Sequence, residues 1–475
     1  MKKMQYKKMG AITMACAMTL AFAACGDGTG GGGGDGTFED VYVTVLDAGF
    51  GSAWMDAVAS AYFEETGTIV HVSADPDLVN SVSTKMGTNA EKDDIYFCSQ
   101  APSNWRTWAY RELIEPVDDV LENEKYGTPA KDRAVDNTLL KTGKYFGDTY
   151  LIPYVYSNWG LIYNQNYLNQ INSYGTYEKG VWPETVQGLL DLCTAAKAAK
   201  IVNSRTGRTV APFSCGLTVP YMDPLFYSLW CQLDPTGYQS YFTQNDKTSY
   251  DFTALTSDAV EQAMTTIFDL IGATSDSNSN LVATAQNHLD SQTSFVNGDC
   301  VFTFCGTWFE SEMKTVLQEV GLTEYHYAAH PVYNEGDKKY SNVNIPGEYF
   351  FIPSDAYNVE GAKDFLAFAM SDKGIAAAER VLNQPLAYTG STEVEFSRFG
   401  QEIDAVISNS EKFYTYSDTD VGKTGALDLF MMDSSPFTLM AKYTVTDKTQ
   451  IYEKCIAPEI AKHQTRWEDM MRALG

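Results

Sequence analysis

Apolar and β-prone residues alternate over Asp40–Leu46, which predicts a strand. A loop, Asp47–Ser52, leads into Ala53–Thr66, where the apolar spacing becomes helical. Ile69–Val72 reads as a second strand, Asp77–Thr88 as a helix and Asp94–Cys98 as a buried strand. A loop at Ser99–Asn104 and a helix through Leu113 follow. This β-α-β-α-β order predicts a mostly parallel α/β sheet. A new region opens at Tyr150–Tyr156, with a strand at Leu161–Asn164. Trp182-Pro183-Glu184-Thr185 then starts a helix over Val186–Lys200, with proline placed early. Further on, Phe295–Asp299 is a turn, Cys300–Phe304 a strand and Phe309–Val320 a helix. Tyr349–Ile352 is a short strand, Val359–Met370 a helix, and Thr449–Leu474 largely helical. No repeat period appears.

The chain has 475 residues, too many for one ordinary core, so about two domains are expected. Its first segment reads as an address. Lys2, Lys3, Lys7 and Lys8 precede the apolar run Met9–Ala23, a secretory signal over residues 1–24 that is too short to span a membrane stably. The run closes Leu20-Ala21-Phe22-Ala23-Ala24-Cys25, which resembles a bacterial lipobox, with Phe22 where leucine is usual. In a lipobox the cysteine thiol is acylated and becomes the new N-terminus, so Cys25 is the expected lipidation site. Two or three acyl chains give stable anchoring where one does not. Gly26–Gly36 (GDGTGGGGGDG) cannot pack and reads as a flexible tether, making residues 25–37 a lipidated leash. Its formal G-x-G-x-x-G match has neither a preceding strand nor a following helix and is set aside.

Charge narrows the partners. There are 34 basic against 61 acidic side chains, net −27. Without residues 1–24 the balance is 30 against 61, net −31. Such a surface repels phosphate backbones, so no nucleic-acid partner is expected. Of nine cysteines, Cys16 leaves with the signal and Cys25 is acylated; the remaining seven form no C-x-x-C and read as buried thiols rather than a disulfide scaffold. No zinc-protease, serine-hydrolase, P-loop or kinase motif occurs. His326 and His330 lie four apart on an extended stretch, Tyr325–Tyr333, which separates them by roughly 13 Å, too far for one metal. Asp418-Thr419-Asp420 begins like a calcium loop, but the required glycine and twelfth-position glutamate are out of place. No metal or cofactor is expected. With 61 acids, some carboxylate pair will face any cleft, so composition alone leaves a glycosidase open.

Several segments together resemble extracellular solute-binding protein family 1, the carbohydrate-binding subunits of ABC importers. They are Ile152-Pro153-Tyr154 with Gly160–Asn164, Trp182–Thr185, Phe295–Asp299 with Gly306-Thr307-Trp308, and Phe351–Ser354 with Ala362–Leu366. Val186 and Cys305 depart from the family's usual tryptophan and small residue. The resemblance covers about 38–475. It implies a non-catalytic, monomeric, two-lobed α/β fold of the periplasmic-binding-protein type, with a ligand cleft between lobes joined by three crossing segments. The crossings fall near Ile152–Ser157, Val332–Pro346 and Gln384–Glu395, each interrupting the periodic pattern with proline or glycine. Lobe 1 is then 38–152 with 346–385, and lobe 2 is 156–335 with 395–475. The implied function is capture of a carbohydrate outside the cell and its delivery to ABC permease subunits. A surface glycoside hydrolase and a binder of a non-sugar solute are the alternatives.

A pyranose offers an apolar C–H face and a rim of hydroxyls, so its cleft needs aromatic rings beside Asp, Asn, Glu or backbone groups. In open α/β sheets ligands sit at the carboxyl ends of strands. Three strand-end loops pair a glycine or small polar residue with a tryptophan: Gly49–Trp54, Ser99–Trp105 and Gly306–Trp308. Trp54, Trp105 and Trp308 are therefore candidates, while Trp108 and Trp230 read as core. The family pattern, carried across by position, points to Trp308 as the stacking platform. It adds Tyr156 and Ser157 at the first crossing, Tyr221 and Phe437, with Asp223, Gly347 and Glu348 as polar partners.

Overall fold

The structure, a computed structural model, describes residues 39–98, 104–216, 221–274, 282–283, 287–343, 348–414, 419, 421–429, 436–441 and 445–474. The expected signal (1–24), Cys25, the glycine tether, Ser99–Ser103, Gly347 and Asp418 lie outside the described residues. Ten strands build two sheets. In chain order they are β1 (Val41–Leu46), β2 (Val70–Asp75), β3 (Ile95–Cys98), β4 (Ile152–Val155), β5 (Trp159–Asn164), β6 (Ala211–Gly216), β7 (Val282–Ala283), β8 (Cys300–Gly306), β9 (Tyr325–Ala328) and β10 (Glu348–Phe351).

The first sheet runs β2-β1-β3-β10-β4. β1 is parallel to β2 and β3, as the early β-α-β-α-β pattern predicts. β10 is antiparallel to both β3 and β4, so the sheet is mixed rather than mostly parallel. The physical reason is the crossing chain. β10 enters from the other lobe at the edge where β3 ends, Tyr349 pairing with Cys98, and must run back across the sheet. The second sheet, β9-β5-β8-β6-β7, is mixed for the same reason: β5 has just crossed and lies antiparallel to β8 and β9, whereas β6 and β8 are parallel.

Local chemistry sets the helices. Ala53–Thr66 turns Trp54, Val58 and Tyr62 onto one buried face and stops at Gly67, whose φ of 79° few other residues adopt. Val186–Ala199 begins where the Thr185 hydroxyl accepts a hydrogen bond from the Gly188 N–H. The helix expected over Phe309–Val320 is two pieces, Phe309–Glu312 and Lys314–Val320, parted at Met313. Only Tyr325–Ala328 of the expected extended stretch is strand.

Three segments link the lobes. The chain passes from β4 to β5 through Tyr156–Asn158, returns between β9 and β10, and leaves again after the helix Asp372–Leu382. The first and third lie side by side: the Ala387 N–H donates to the Tyr154 carbonyl at 2.9 Å, and the Gln384 amide donates to the Tyr156 carbonyl at 3.4 Å. All seven described cysteines are buried and free, and burial pushes every thiol up, to about 11 at Cys455.

Candidate ligand site between the lobes

Strand register assembles the site. Gly306, the last residue of β8, pairs with Trp159, the first of β5, which brings Trp159 beside Trp308 just past the strand end. The two indoles meet edge to face with centroids 4.6 Å apart at 88°. Tyr221 stands perpendicular to both, 4.7 Å from Trp159 and 6.4 Å from Trp308, and stacks on His288 at 5.4 Å. Edge-to-face pairs of this kind hold each other's orientation and add roughly 0.5–1.5 kcal/mol beyond burial.

The first lobe closes on this cluster from the loop after β1. The Phe50 ring is 6.3 Å from that of Trp308 at 80°, and a Cβ at Gly49 would stand 3.8 Å from the Trp308 Cβ. Trp308 is consequently only 8% exposed. It is touched from the loop after β1 as well as by the first residue of β5.

One carboxylate, Glu312, adjoins the rings. Glu312 lies one helical turn after Trp308, its N–H bonded to the Trp308 carbonyl at 2.9 Å. Its Oε2 accepts from the Gln292 amide at 2.7 Å, and His288 Nε2 is 3.7 Å from its Oε1. Glu348 comes from the first lobe, at the start of β10 opposite Val155. It is 8% exposed, and no described residue hydrogen-bonds its carboxylate. Burial, and then the like charge of Glu312, push its carboxyl up to about 8.

Of the residues expected from the sequence, Trp308 and Tyr221 meet here, and Glu348 lies buried at the start of β10. Tyr156 and Ser157 are buried in the first crossing. Asp223 opens the helix Asp223–Leu233 in the second lobe, where burial and Glu459 raise its carboxyl well above the usual range. Three expectations need correction. Trp54 is 0% exposed: it follows its loop so early in the helix that its ring turns back onto the first sheet, stacked on Tyr154 at 5.3 Å, with its indole N–H donating to the Gly51 carbonyl at 2.9 Å. Phe437 is likewise 0% exposed, 6.2 Å from Phe226 in the second-lobe core. Trp105 packs in a separate apolar cluster with Cys98, Trp108 and Tyr349, edge-on to Tyr145 at 6.3 Å. Trp108 and Trp230 are core.

Trp159, Phe50, His288, Gln292 and Glu312 escape the sequence reading. Trp159 has a signal in hindsight, an aromatic at the first strand position after a crossing; the others have none until the register is known.

His326 and His330 do not converge. His326 stacks on Tyr163 at 5.1 Å and its Nδ1 lies 2.5 Å from Glu402, while burial pushes His330 down to about 3. Both adjoin a groove of about 460 Å³ lined by Tyr163, Trp182, Tyr327, His330 and Glu402, which shares none of the cleft rings. Among the described residues, no group of three or more His, Cys, Asp or Glu is placed to hold a metal. No helix among them is long and apolar enough to cross a membrane.

The comparisons with known proteins agree with this two-lobed α/β fold. The model of the bacterial extracellular solute-binding protein family matches residues 48–376, and the chain belongs to that family. No curated protein matches it. The GacH receptor of Streptomyces glaucescens GLA.O, solved unliganded and with acarbose and an acarbose homolog, superposes with a TM-score of 0.62 at 16% identity, covering 92% of this chain and 98% of its own. The bacterial solute receptor AcbH, with an exclusive preference for β-D-galactopyranose, gives a TM-score of 0.62 at 14% identity, covering 92% and 100%. At these identities the likeness is one of fold.

Proposed function

We propose that this protein captures a carbohydrate outside the cell and hands it to the permease of an ABC importer. The observation that carries the reading is the mutually perpendicular trio Trp159, Tyr221 and Trp308 at the meeting of the lobes. Among rings so held, the partly exposed Trp159 can offer an apolar face to a sugar's C–H side, and Glu312 beside Trp308 offers an acceptor to its hydroxyls. Two receptors of the same fold, GacH and AcbH, take acarbose and β-D-galactopyranose. In this reading lobe 1 is 38–152 with 346–385, lobe 2 is 156–335 with 395–475, and the lobes hinge at the crossings. The body works as a monomer tethered to the membrane through a lipid on Cys25, and it is not an enzyme.

A thermal-shift screen over mono- and oligosaccharides tests it. A ligand that binds only the folded chain at 100 times its Kd adds about 2.7 kcal/mol of stability. A saccharide that raises the melting temperature in a concentration-dependent way is the expected result; a screen with no shift rejects it. Glu348, whose carboxyl burial raises to about 8, also suits a glycosidase, in which a raised carboxyl acts as general acid. A reducing-end assay separates the two readings, because turnover of any shifting oligosaccharide overturns the transport function.

A further inference from the structure

We propose that the second lobe carries a second carbohydrate site, in the groove beside β9, which takes one neutral sugar ring against Trp182. It goes beyond the cleft reading and stands or falls apart from it.

The groove is built on the edge of a sheet. β9 is the outermost strand of the second sheet and pairs with β5 on its inner side. Its Tyr327 N–H donates to Glu402 at 2.8 Å, which ties the helix Arg398–Asn409 to the strand. Trp182 and Pro183, ahead of the helix Val186–Ala199, complete the lining. The volume, about 460 Å³, falls within the roughly 300–1,000 Å³ of ordinary small-molecule sites.

The rings are locked in place. Trp182 stacks on Tyr163 at 4.3 Å and 13°, Tyr163 stacks on His326 at 5.1 Å and 15°, and Phe302 meets Trp182 edge-on at 5.5 Å. Trp182 is nevertheless only partly buried, and it lines the groove. An indole fixed in this way meets the C–H face of a sugar with little further loss of side-chain freedom.

Charge decides the class of guest. Each charged side chain on the lining already has a partner: Glu402 accepts from the Tyr327 N–H and lies 2.5 Å from His326 Nδ1, and Glu184 pairs with Lys339 at 3.0 Å. The uncommitted groups are neutral. His330 is 3% exposed, burial keeps its ring uncharged, and its Nδ1 has no hydrogen-bond partner among the described residues; nor has the Ser410 hydroxyl. The Tyr163 hydroxyl and the Trp182 indole N–H likewise have no described partner. Unpartnered polar groups at a buried surface favour a guest that satisfies them. A charged guest would find no free counter-charge here, whereas hydroxyls, which both donate and accept, suit all four groups. Water meets the same hydrogen-bonding needs but gains nothing from the apolar lining of Pro183, Ala328, Ala329 and Val406. A pyranose joins hydroxyls to an apolar face and uses both.

The test is fluorine NMR of the full chain carrying fluorotryptophan, with the Trp182 and Trp308 resonances assigned from their phenylalanine variants. The probes are glucose, galactose and mannose, against the charged sugars glucuronate and glucosamine. The expected result is a saturable shift of the Trp182 resonance with at least one neutral sugar, the charged sugars binding at least about threefold more weakly. Ala405→Phe fills the groove from an exposed helix position and should weaken that binding at least about tenfold. Tyr163→Phe keeps the ring stack, removes only the hydroxyl and should weaken it about threefold; it decides alone if Ala405→Phe does not fold. No Trp182 shift at tens of millimolar, a shift that survives both substitutions, or charged sugars binding as well as neutral ones overturns the inference. A response at Trp308 without one at Trp182 removes the groove and leaves the cleft reading standing; a response at Trp182 alone supports the groove and counts against the cleft.

Discussion

Gly306 and Trp308 form a unit: a Cβ added at Gly306 would collide with the Trp308 ring, which folds back over the end of β8. The glycine is what lets the indole lie across the strand end and face Trp159. Trp308→Ala is expected to weaken sugar binding at least about tenfold, since 1.4 kcal/mol is one decade and truncating an interface tryptophan often costs about 2 kcal/mol or more. Gly306→Ala should act in the same direction by displacing the ring. Titration calorimetry checks both, and unchanged affinity in either variant removes the ring from the site.

Trp54 is the matching control. Lying in the first-lobe core against Phe97 and Tyr154, it should lose about 3–5 kcal/mol on truncation to alanine. Affinity in the fraction that still folds should hold. Denaturant melts of Trp54→Ala and Trp308→Ala without ligand compare the two; a larger stability loss at Trp308 than at Trp54 would reverse the assignments.

Glu348 makes stability depend on pH. Its carboxyl rises from the ordinary 4.5 to about 8 in the fold. The native state thus keeps a proton that the unfolded chain has released, so stability falls as pH rises from 4.5 to 8 and is level outside that window. Asp223 and Glu379 are raised as well and add slopes of the same sign, so the difference between wild type and variant is the informative quantity. Glu348→Gln should flatten part of the slope and stabilise the protein at pH 8 by on the order of a few kcal/mol. Melting curves from pH 5 to 9 measure this; parallel profiles for the two proteins would show that Glu348 titrates normally.

Three crossings restrict relative motion of the lobes to a hinge. Small-angle scattering should give a smaller radius of gyration with saturating sugar than without. Superimposable curves would mean the lobes do not move on binding.

Cys25→Ser should release the body into the medium or leave the precursor uncut. Wild-type chain that carries no acyl label, with the variant fractionating unchanged, would reject the anchor.

Local structure was legible wherever a short-range pattern decides it. Helical spacing from Ala53 to Thr66 gives that helix its observed ends, and Thr185 marks the start of the helix at Val186. Strand direction was not legible for β10, because whether a strand runs parallel depends on where the chain re-enters from the other lobe. The site was half legible. Trp54 and Trp308 follow similar glycine-containing loops at strand ends, yet one ring turns inward and the other crosses the strand end; the difference lies in the three-dimensional course of the next few residues. His288 and Glu312 come together only through folding, having no local signature of their own.

The buried thiols have a practical consequence. Alkylating dyes need an accessible thiolate, and none of the seven described cysteines offers one. A single cysteine installed at an outward position such as Phe146, 81% exposed, would therefore be labelled selectively within the folded body. A fluorophore pair across the lobes could then follow the receptor's opening and shutting without first stripping out the native sulfur.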